Sequence, residues 1–330
     1  MAKYLHSKVK TYEQCPQKYK FRYIDGIQAE RRTIEAFLGD VVHQTLRKLY
    51  SDLQAGRSTT YEELLSSYKQ HWDSQYAPTI KIVRGNASIE SYFESGSRMI
   101  QGYYRWFHPF TDASTLGLEL EVSFPIATDA EFHGFVDRVT QTSPHRYEIH
   151  DYKTSRRLPS TADVKRDLQL PLYEIAVRHT LGADIREVTL VWHYLAFDRE
   201  FRCRRSSKEL EATKQTMLRS IGRIESARGF PTRETPLCDW CEYYEICPAK
   251  QRIVLPSILQ LAGSQGQSPS LIYGEGSGRE GKGLKHPVLS AFRWLLSLLW
   301  RPLRFILVAG ASGQRTRRKQ GRKARRRSLR

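Results

Sequence analysis

The chain has 330 residues, of which 40% are hydrophobic and 27% charged, so it can bury a core of ordinary globular size. Its net charge is +18, but residues 255–330 alone carry +14, which leaves +4 for the first 254 residues. A uniformly basic body is therefore excluded, and residues 1–254 must bind any polyanion through a local patch.

The sequence shows no secretory signal and no long uncharged apolar run, and it has five cysteines. This predicts a cytoplasmic protein whose clustered thiols bind metal rather than form disulfides.

Residues 3–27 interleave aromatic and basic side chains around Cys15. Two interpretations are open. Tyr19, Phe21 and Tyr23 could stack on nucleic-acid bases while the neighbouring Lys and Arg contact phosphates, or the aromatic rings could pack in the core as one side of a helix.

Three helices are predicted next in the chain. Apolar residues at three- and four-residue spacing predict a helix over about residues 33–50, and similar patterns predict two more over about 60–76 and 88–108. His43 lies beside the apolar stripe of the first helix, one turn after Gly39. The second and third helices show no catalytic pattern and are predicted to cover the core or to shape a substrate channel.

Residues 134–154 predict a strand, a turn around Pro144 and a second strand, from β-branched and aromatic residues on both sides of Gln-Thr-Ser-Pro-His. A hairpin symmetric about Pro144 places Asp137 opposite Asp151, where Cβ atoms are roughly 4.5–5.5 Å apart. Two carboxylates at that separation need a cation between them. Lys153 lies two residues after Asp151 and so projects from the same face of the strand.

Residues 118–126 alternate as a strand that could bring an acid to these carboxylates. Glu119 and Glu121 are the two acids on it, and Glu121 is taken as the further candidate metal ligand.

Residues 160–179 predict a helix that carries Gln169 and Tyr173 one turn apart on one face. Because proline is tolerated only in the first turn of a helix, Pro171 means that this helix is kinked or begins near Asp167. A second hairpin over about 187–204 and a helix to about residue 227 follow. Cys203 lies on that hairpin and is interpreted as structural.

Cys238, Cys241 and Cys247 form a Cys-x-x-Cys-x5-Cys pattern, which fits a zinc site, a redox pair or an iron–sulfur cluster. Zinc sites commonly pair two Cys-x-x-Cys motifs. Here a fourth thiolate must instead come from a distant cysteine, either Cys15 or Cys203.

Beyond residue 254 the sequence becomes rich in glycine and serine, so the predicted boundary separates an ordered domain, 1–254, from a largely disordered tail, 255–330. Within the tail, residues 291–309 predict an amphipathic helix whose arginines favour an interface or a partner protein over a membrane span. Residues 315–330 hold ten Lys and Arg and no acid, which is typical of a disordered arm that binds nucleic acid without sequence preference.

Four motifs in order resemble those of the PD-(D/E)XK nuclease superfamily, in its RecB-like, AddB-type branch. The four motifs are Gly39-Asp-Val-Val-His43, Gly134-Phe-Val-Asp137, Asp151-Tyr-Lys-Thr154 and Gln169-Leu-Pro-Leu-Tyr173. The resemblance covers about residues 4–250. It implies an α/β fold in which a restriction-endonuclease-like mixed sheet is flanked by helices.

The resemblance also implies a cofactor at the cysteines. Cys15 together with Cys238, Cys241 and Cys247 would bind a [4Fe–4S] cluster that joins the N- and C-terminal segments of the domain. Zinc is the alternative.

The implied function is that of a metal-dependent deoxyribonuclease. His43, Asp137, Asp151 and the backbone carbonyl of Tyr152 would bind Mg²⁺ or Mn²⁺. Lys153 would position the nucleophile. Gln169 and Tyr173 would contact DNA.

The resemblance further implies an exonuclease that acts on single-stranded DNA ends in repair or recombination, with a helicase or recombination protein as candidate partner. Two alternatives remain open at this point. One is the nuclease of CRISPR adaptation from the same superfamily. The other is a non-catalytic DNA-binding subunit of a helicase–nuclease complex.

Overall fold

A computed structural model describes residues 1–111, 114–182 and 184–251. The chain divides into two units, Met1–Gln267 and Ser268–Arg330, and all the described residues lie in the first. The predictions for the tail, including the amphipathic helix at 291–309, lie outside the described residues. None of the described helices has the length and apolar character needed to cross a membrane.

The centre of the fold is a six-stranded sheet of mixed orientation. Its strands are β1 (Ala2–Tyr4), β4 (Ser114–Pro125), β5 (Ala130–Ser143), β6 (Arg146–Lys153), β7 (Glu187–Tyr194) and β8 (Arg199–Cys203). The strand order is β1-β5-β6-β7-β8, and β4 pairs with β5 along nearly its whole length. The pairs β1–β5 and β6–β7 are parallel and the others antiparallel. Two short strands, β2 (Arg32–Thr33) and β3 (Ile80–Lys81), form a separate parallel pair.

Eight α-helices accompany the sheet in the described residues. They are α1 (His6–Gln14), α2 (Pro16–Tyr19), α3 (Ile34–Gln54), α4 (Tyr61–Gln75), α5 (Ile89–Phe107), α6 (Thr161–Arg166), α7 (Gln169–Leu181) and α8 (Ser207–Glu225). The predicted helices 33–50, 60–76 and 88–108 correspond to α3, α4 and α5. Thr33, Thr60 and Ser88 cap them, because each hydroxyl accepts a hydrogen bond from a backbone N–H of the first turn.

Two hydrophobic cores lie on opposite faces of the sheet. One is built by α3, α4 and α5 around fully buried residues such as Phe37 and Tyr68. The other is built by α7, α8 and α1 around residues such as Leu172 and Met217. On β6, Ile149 belongs to the second core and Tyr152 to the first. The expectation of a mixed sheet flanked by helices is therefore confirmed.

The helix predicted over 160–179 is divided into α6 and α7. Asp167 ends α6 with extended backbone, at φ −60° and ψ 132°, so the helix cannot continue through it. Pro171 is the third residue of α7, within the first turn, where its missing N–H has no helical acceptor to lose. Of the two alternatives left by the sequence, a helix that begins close to Asp167 is the observed one.

Of the N-terminal aromatic residues 19, 21 and 23, Tyr19 packs inside the protein. Tyr19 is 5% exposed in the second core, and the Phe21 ring lies 5.5 Å from that of Tyr243. The neighbouring cation Lys18 is 2.8 Å from the carboxylate of Glu242. The packing interpretation therefore holds for Tyr19, whereas Phe21 and Tyr23 are half-buried.

Candidate active site

The hairpin of β5 and β6 has the register expected from its symmetry about Pro144. Arg138 pairs with His150, and the register is regular as far as Gln141 and Tyr147. Beyond His150 the β6 strand leaves β5, although it continues to pair with β7. Asp137 and Asp151 lie at this point of separation, and the Tyr152 N–H donates to Asp137 Oδ2 at 2.8 Å. The separation opens space between the strands beside both aspartates.

Three side chains from three elements meet at this point. Ligand atoms of His43 on α3, Glu119 on β4 and Asp137 on β5 all lie within 4.8 Å of one another. His43 Nε2 donates to the Tyr152 carbonyl at 2.7 Å, which turns Nδ1 toward Asp137 Oδ2 at 3.5 Å. The Tyr152 carbonyl, predicted as a metal ligand, accepts this hydrogen bond with one of its two lone pairs. One nitrogen and several carboxylate oxygens remain directed at a common volume.

The acid that β4 contributes is Glu119, and the choice of Glu121 is corrected. The Glu121 side chain is 65% exposed and accepts a hydrogen bond from His133 Nε2 at 2.7 Å. The reason is a break in the alternation of β4. Glu119 has a φ of +47°, so Leu118 packs on the first core while Leu120 packs on the second, although they are two residues apart. At this twist Glu119 turns toward His43, which simple strand parity cannot predict.

Asp151 and Lys153 form a second group beside the first. Lys153 Nζ is 2.6 Å from Asp151 Oδ2, and it donates to Gln169 Oε1 at 3.0 Å. Gln169 Nε2 in turn donates to the Tyr173 hydroxyl at 3.3 Å. The buried Asp151 Oδ2 atom thus has the Lys153 ammonium as its partner. The structure thus joins the predicted residues Asp151, Lys153, Gln169 and Tyr173 in one chain of contacts.

Two glycines allow these elements to come so close. A Cβ on Gly134 would lie 2.5 Å from Cε1 of Tyr173, which is an impossible contact with a ring on α7. A Cβ on Gly39 would lie 3.3 Å from Thr154 Oγ1, so α3 passes close to the end of β6. Each glycine belongs to one of the sequence motifs. The lack of a side chain at Gly134 lets α7 pack against β5, and its lack at Gly39 lets α3 pack against the end of β6.

Burial and the charges of neighbouring side chains shift the pKa values of His43, Glu119 and Asp151. Burial would lower the pKa of His43, but the charge and hydrogen bond of Asp137 outweigh it and raise that pKa to about 9. The pKa of Glu119 is raised by burial and by the charge of Asp137. The pKa of Asp151 is raised by burial, against the effect of Lys153. Acids held in this way gain from a bound cation.

The matching protein family was identified by comparison with known sequences. A model of the PD-(D/E)XK nuclease superfamily matches residues 6–248. The chain belongs to this superfamily. The matched range contains every candidate residue from Cys15 to Cys247. A comparison with curated proteins found no match.

Solved structures with similar folds were also found. A candidate exonuclease from Eubacterium rectale has 11% sequence identity and a TM-score of 0.41, over 81% of this chain and 90% of its own. The protein SSO0001 has 18% identity and a TM-score of 0.32, over 74% of this chain and 94% of its own. Both TM-scores are below 0.5, so membership of the PD-(D/E)XK superfamily rests on the sequence-model match.

Behind the metal-ligand candidates of this PD-(D/E)XK site lies a buried arginine that the sequence analysis missed. Arg138 is 5% exposed, and its guanidinium lies 4.0 Å from the ring centroid of Tyr50. Its Nε donates to the Tyr152 hydroxyl at 2.9 Å, and one NH2 group is 3.5 Å from the Tyr103 hydroxyl. Arg138 therefore ties β5 to β6 where the site residues lie. The signal in the sequence was a charged residue directly followed by the buried residues Val139 and Thr140.

The four cysteines predicted to bind a cofactor lie around one pocket of the nuclease domain. Cys15, Cys238, Cys241 and Cys247 all line it, and Cys203 lies elsewhere, on β8. Within the described residues, no three cysteine sulfurs lie within 4.8 Å of one another. Cys15 is thus the distant cysteine that the structure brings to the C-terminal three.

Proposed function

We propose that this member of the PD-(D/E)XK superfamily is a metal-dependent nuclease that hydrolyses phosphodiester bonds of DNA. The observation that carries the proposal is the convergence of His43, Glu119 and Asp137 with the Asp151–Lys153 pair where β5 and β6 separate. Family membership supports a nuclease in general. The catalytic roles of Asp137, Asp151 and Lys153 are our assignment from the geometry.

The residues present fit a hard divalent cation. Carboxylate oxygens outnumber the single imidazole nitrogen, which favours Mg²⁺ or Mn²⁺, and the nitrogen favours Mn²⁺ of the two. Ligand atoms of His43, Glu119 and Asp137 already lie within 4.8 Å of one another, and the buried Asp151 carboxylate, paired with Lys153, lies beside them. When bound, such an ion would polarise the phosphate and acidify a water molecule. Asp137, Glu119 and His43 would hold it, with Asp151 completing the set.

The chain's own residues supply the rest of the chemistry. Lys153 carries a positive charge, since the charge of Asp151 outweighs burial and raises its pKa above the usual value. Gln169 fixes the Lys153 amine through a hydrogen bond of 3.0 Å, so the charge stays beside the carboxylates. There it can offset negative charge that develops on a phosphate and orient the attacking water. Tyr173, whose hydroxyl accepts a hydrogen bond from Gln169 at 3.3 Å, would contact the same DNA strand.

We also propose that the four-cysteine pocket binds a [4Fe–4S] cluster. A tetrahedral zinc site with Zn–S bonds of about 2.3 Å would draw sulfurs to about 3.8 Å from one another. Cys15, Cys238, Cys241 and Cys247 line one pocket, so the four thiolates that either metal site needs are present together. A four-iron cluster separates its thiolates further, because each binds a different iron. The preference for the cluster over zinc rests on the arrangement of one distant cysteine with a C-terminal group of three, which resembles that of RecB-like nucleases with a cluster.

Exonuclease action on single-stranded ends, in DNA repair or recombination, is the finer part of the proposal. It rests on the RecB-like motifs of the sequence. The complete set of Asp137, Asp151 and Lys153 supports a catalytic protein over a subunit that only binds DNA.

The test is cleavage of end-labelled single- and double-stranded DNA by the full chain with Mg²⁺, with Mn²⁺ or with EDTA. Asp151→Asn should lower the rate by about 100- to 1000-fold, as expected when one charge-stabilising group is removed. DNA binding in EDTA should stay, since it depends mainly on phosphate contacts elsewhere. Asp184→Asn, at an acid whose side chain is 83% exposed, is the matched control and should cleave normally. Undiminished cleavage by Asp151→Asn would show that this site is not the catalytic one.

A further inference from the structure

The face of the sheet beside the metal-ligand candidates is partly uncovered. His133, Phe135 and Asp137 alternate along β5 and therefore share one face. Helix α3 covers this face near Asp137, but the Phe135 ring is 45% exposed. A large apolar ring thus lies in solvent two residues from a proposed metal ligand.

The Phe135 ring is supported from one side. His133 packs edge-on against it, with ring centroids 5.5 Å apart and an interplanar angle of 85°. His133 is itself fixed by Glu121, which lies opposite Phe135 in the register of β4 and β5. The His133 side chain is 14% exposed, so Phe135 forms the open end of a fixed stack. Such a ring keeps one face free and loses little freedom on binding.

Near Phe135, one edge of β5 also has no neighbouring strand in the described residues. β4 occupies one edge of β5 throughout. On the other edge β1 pairs with Ala130 to Phe132, and β6 pairs from Arg138 onward. Within the described part of the chain, no strand pairs with that edge between Phe132 and Arg138. Tyr173 lies against Gly134 on the opposite face, so this window has an aromatic ring on each side.

We propose that Phe135 is a stacking platform for one unpaired nucleobase of the DNA strand that is cleaved. The proposal rests on the nuclease function proposed above and names its substrate as single-stranded DNA at this position. A strand advances about 3.3 Å per residue, so Phe135 lies roughly 6.6 Å along β5 from Asp137. This distance is about two nucleotide steps of a stacked strand, each of about 3.4 Å. The platform therefore takes a base one or two nucleotides from the scissile phosphate.

The occupant follows from the chemistry of the ring. Phe135 offers no hydrogen-bonding group, so it can read no base edge, but every base has a π-face that can stack on it. In a duplex those faces are already covered by neighbouring base pairs. An uncovered ring beside the site therefore selects an unpaired end without selecting its sequence.

The test is binding of a fluorescein-labelled dT20 oligonucleotide to the full chain in EDTA, followed by fluorescence anisotropy. Phe135→Ala should weaken binding by about 5- to 150-fold, the range expected for one stacked base. Phe135→Trp should restore binding. Leu116→Ala is the control. Leu116 lies on β4, the strand that pairs with β5, and is as exposed as Phe135 at 45%, so this variant should bind normally.

A second measurement places the base. A dT20 series with one abasic site moved along the strand is cleaved under Mn²⁺ by the native protein and by Phe135→Ala. An abasic site one or two nucleotides from the cut should raise KM for the native protein and leave KM for Phe135→Ala unchanged. If Phe135→Ala binds dT20 as tightly as the native protein, or keeps the abasic sensitivity, the platform is wrong while the nuclease stands. If the native protein cleaves no DNA, the proposed function itself fails.

Discussion

Glu119 has a backbone conformation that residues with a side chain rarely adopt. A φ of +47° within a strand costs roughly 1–3 kcal/mol, and such strain persists where the surrounding structure enforces it. Here β4 is paired with β5 on both sides of Glu119, from Leu118 to Arg138 and from Leu120 to Val136. The twist brings the Glu119 carboxylate to His43 and Asp137. The strained residue and the candidate metal ligand are therefore the same one.

We expect Glu119→Gln to weaken Mn²⁺ binding by at least the 10- to 100-fold that loss of a supporting partner of a metal ligand typically costs. The substitution keeps the shape of the side chain and removes one charge from the group. Glu121→Gln is the matched control, since Glu121 lies on the same strand with its carboxylate on His133. Calorimetric titration of each variant with Mn²⁺ measures the effect. Equal affinities for both variants would exclude Glu119 as a ligand.

At the scale of the elements, strands β5, β6 and β7 carry a buried polar layer on the face of α5. His150 on β6 bonds His193 on β7, with Nδ1 and Nε2 2.9 Å apart, and also bonds Thr140 on β5 at 3.0 Å. Burial, then the charge of Arg138, lowers the pKa of both histidines well below 6.5. The nearest acids, Glu148 at 3.5 Å and Glu200 at 3.4 Å, do not reverse this. Both imidazoles are therefore neutral in the folded protein.

The neutral pair predicts a loss of stability in mild acid. In the unfolded chain histidine takes up a proton near pH 6.5, so below that pH the unfolded state binds more protons than the folded state. The free energy of unfolding should then fall as the pH falls from 6.5 toward the folded-state pKa, by up to about 1.4 kcal/mol per pH unit for each histidine. Above pH 6.5 this contribution is constant.

Urea unfolding between pH 5 and pH 8 measures this slope. His193→Gln should make it shallower than in the native protein. His179→Gln, at an exposed position on α7, should leave it unchanged. A native protein whose stability does not fall below pH 6.5 would contradict the neutral pair.

At the scale of the whole molecule, the beginning of the nuclease domain is joined to its end. The Gln17 N–H donates to the Pro231 carbonyl at 3.2 Å, and the Tyr243 hydroxyl donates to the Ile27 carbonyl at 3.0 Å. Helix α1 also reaches the site. Burial lowers the pKa of His6 to about 4; the charge of Asp167 opposes this effect, and the charges of Lys10 and then Lys153 add to it. Loosening the N-terminal segment should therefore disturb the neighbourhood of Lys153.

A cluster at the four cysteines would fasten this junction. Closing a loop of about 100 residues by a cross-link is worth roughly 4–5 kcal/mol in the chain-entropy account, and the loop from Cys15 to Cys238 is longer. Protein purified without oxygen should be brown and contain iron. Cys15→Ser should bleach it, lower its Tm and lower its nuclease activity.

The outcome of that experiment separates three cases. Cys203→Ser is the matched control and should keep colour and Tm, since Cys203 lies outside the pocket. A colourless anaerobic preparation with one zinc would reject the cluster and keep the junction. If Cys15→Ser changed neither metal content nor Tm, the junction would be rejected as well.

The tail holds most of the net charge of the chain. Deletion of residues 255–330 should leave cleavage of short oligonucleotides largely intact, because all the site residues precede it. Affinity should fall and its salt dependence should flatten, since fewer counterions are released on binding. Deletion of 255–314 keeps the ten basic residues of 315–330 and should retain most of the salt dependence. Complete loss of activity in a folded truncation would show that the tail belongs to the catalytic unit.

The sequence by itself determined the helices α3, α4 and α5 and the register of the central hairpin. Apolar spacing acts within a few residues, so it can be read along the chain. The turn composition around Pro144 was enough to align the strands that carry Asp137 and Asp151. The same-face relation of Asp151 and Lys153 followed from strand alternation alone.

Tertiary structure decided what local patterns could not. Glu119 replaces Glu121 because pairing with β5 imposes a twist that breaks alternation at one residue. The Tyr152 carbonyl accepts a hydrogen bond from His43, and Arg138 is buried among tyrosines of α3, α5 and β6, because those elements come from distant parts of the chain. Cys15 reaches the C-terminal cysteines for the same reason. Each of these contacts forms between segments that are far apart in sequence. The packing free energy that stabilises them depends on the whole fold and cannot be predicted from neighbouring residues.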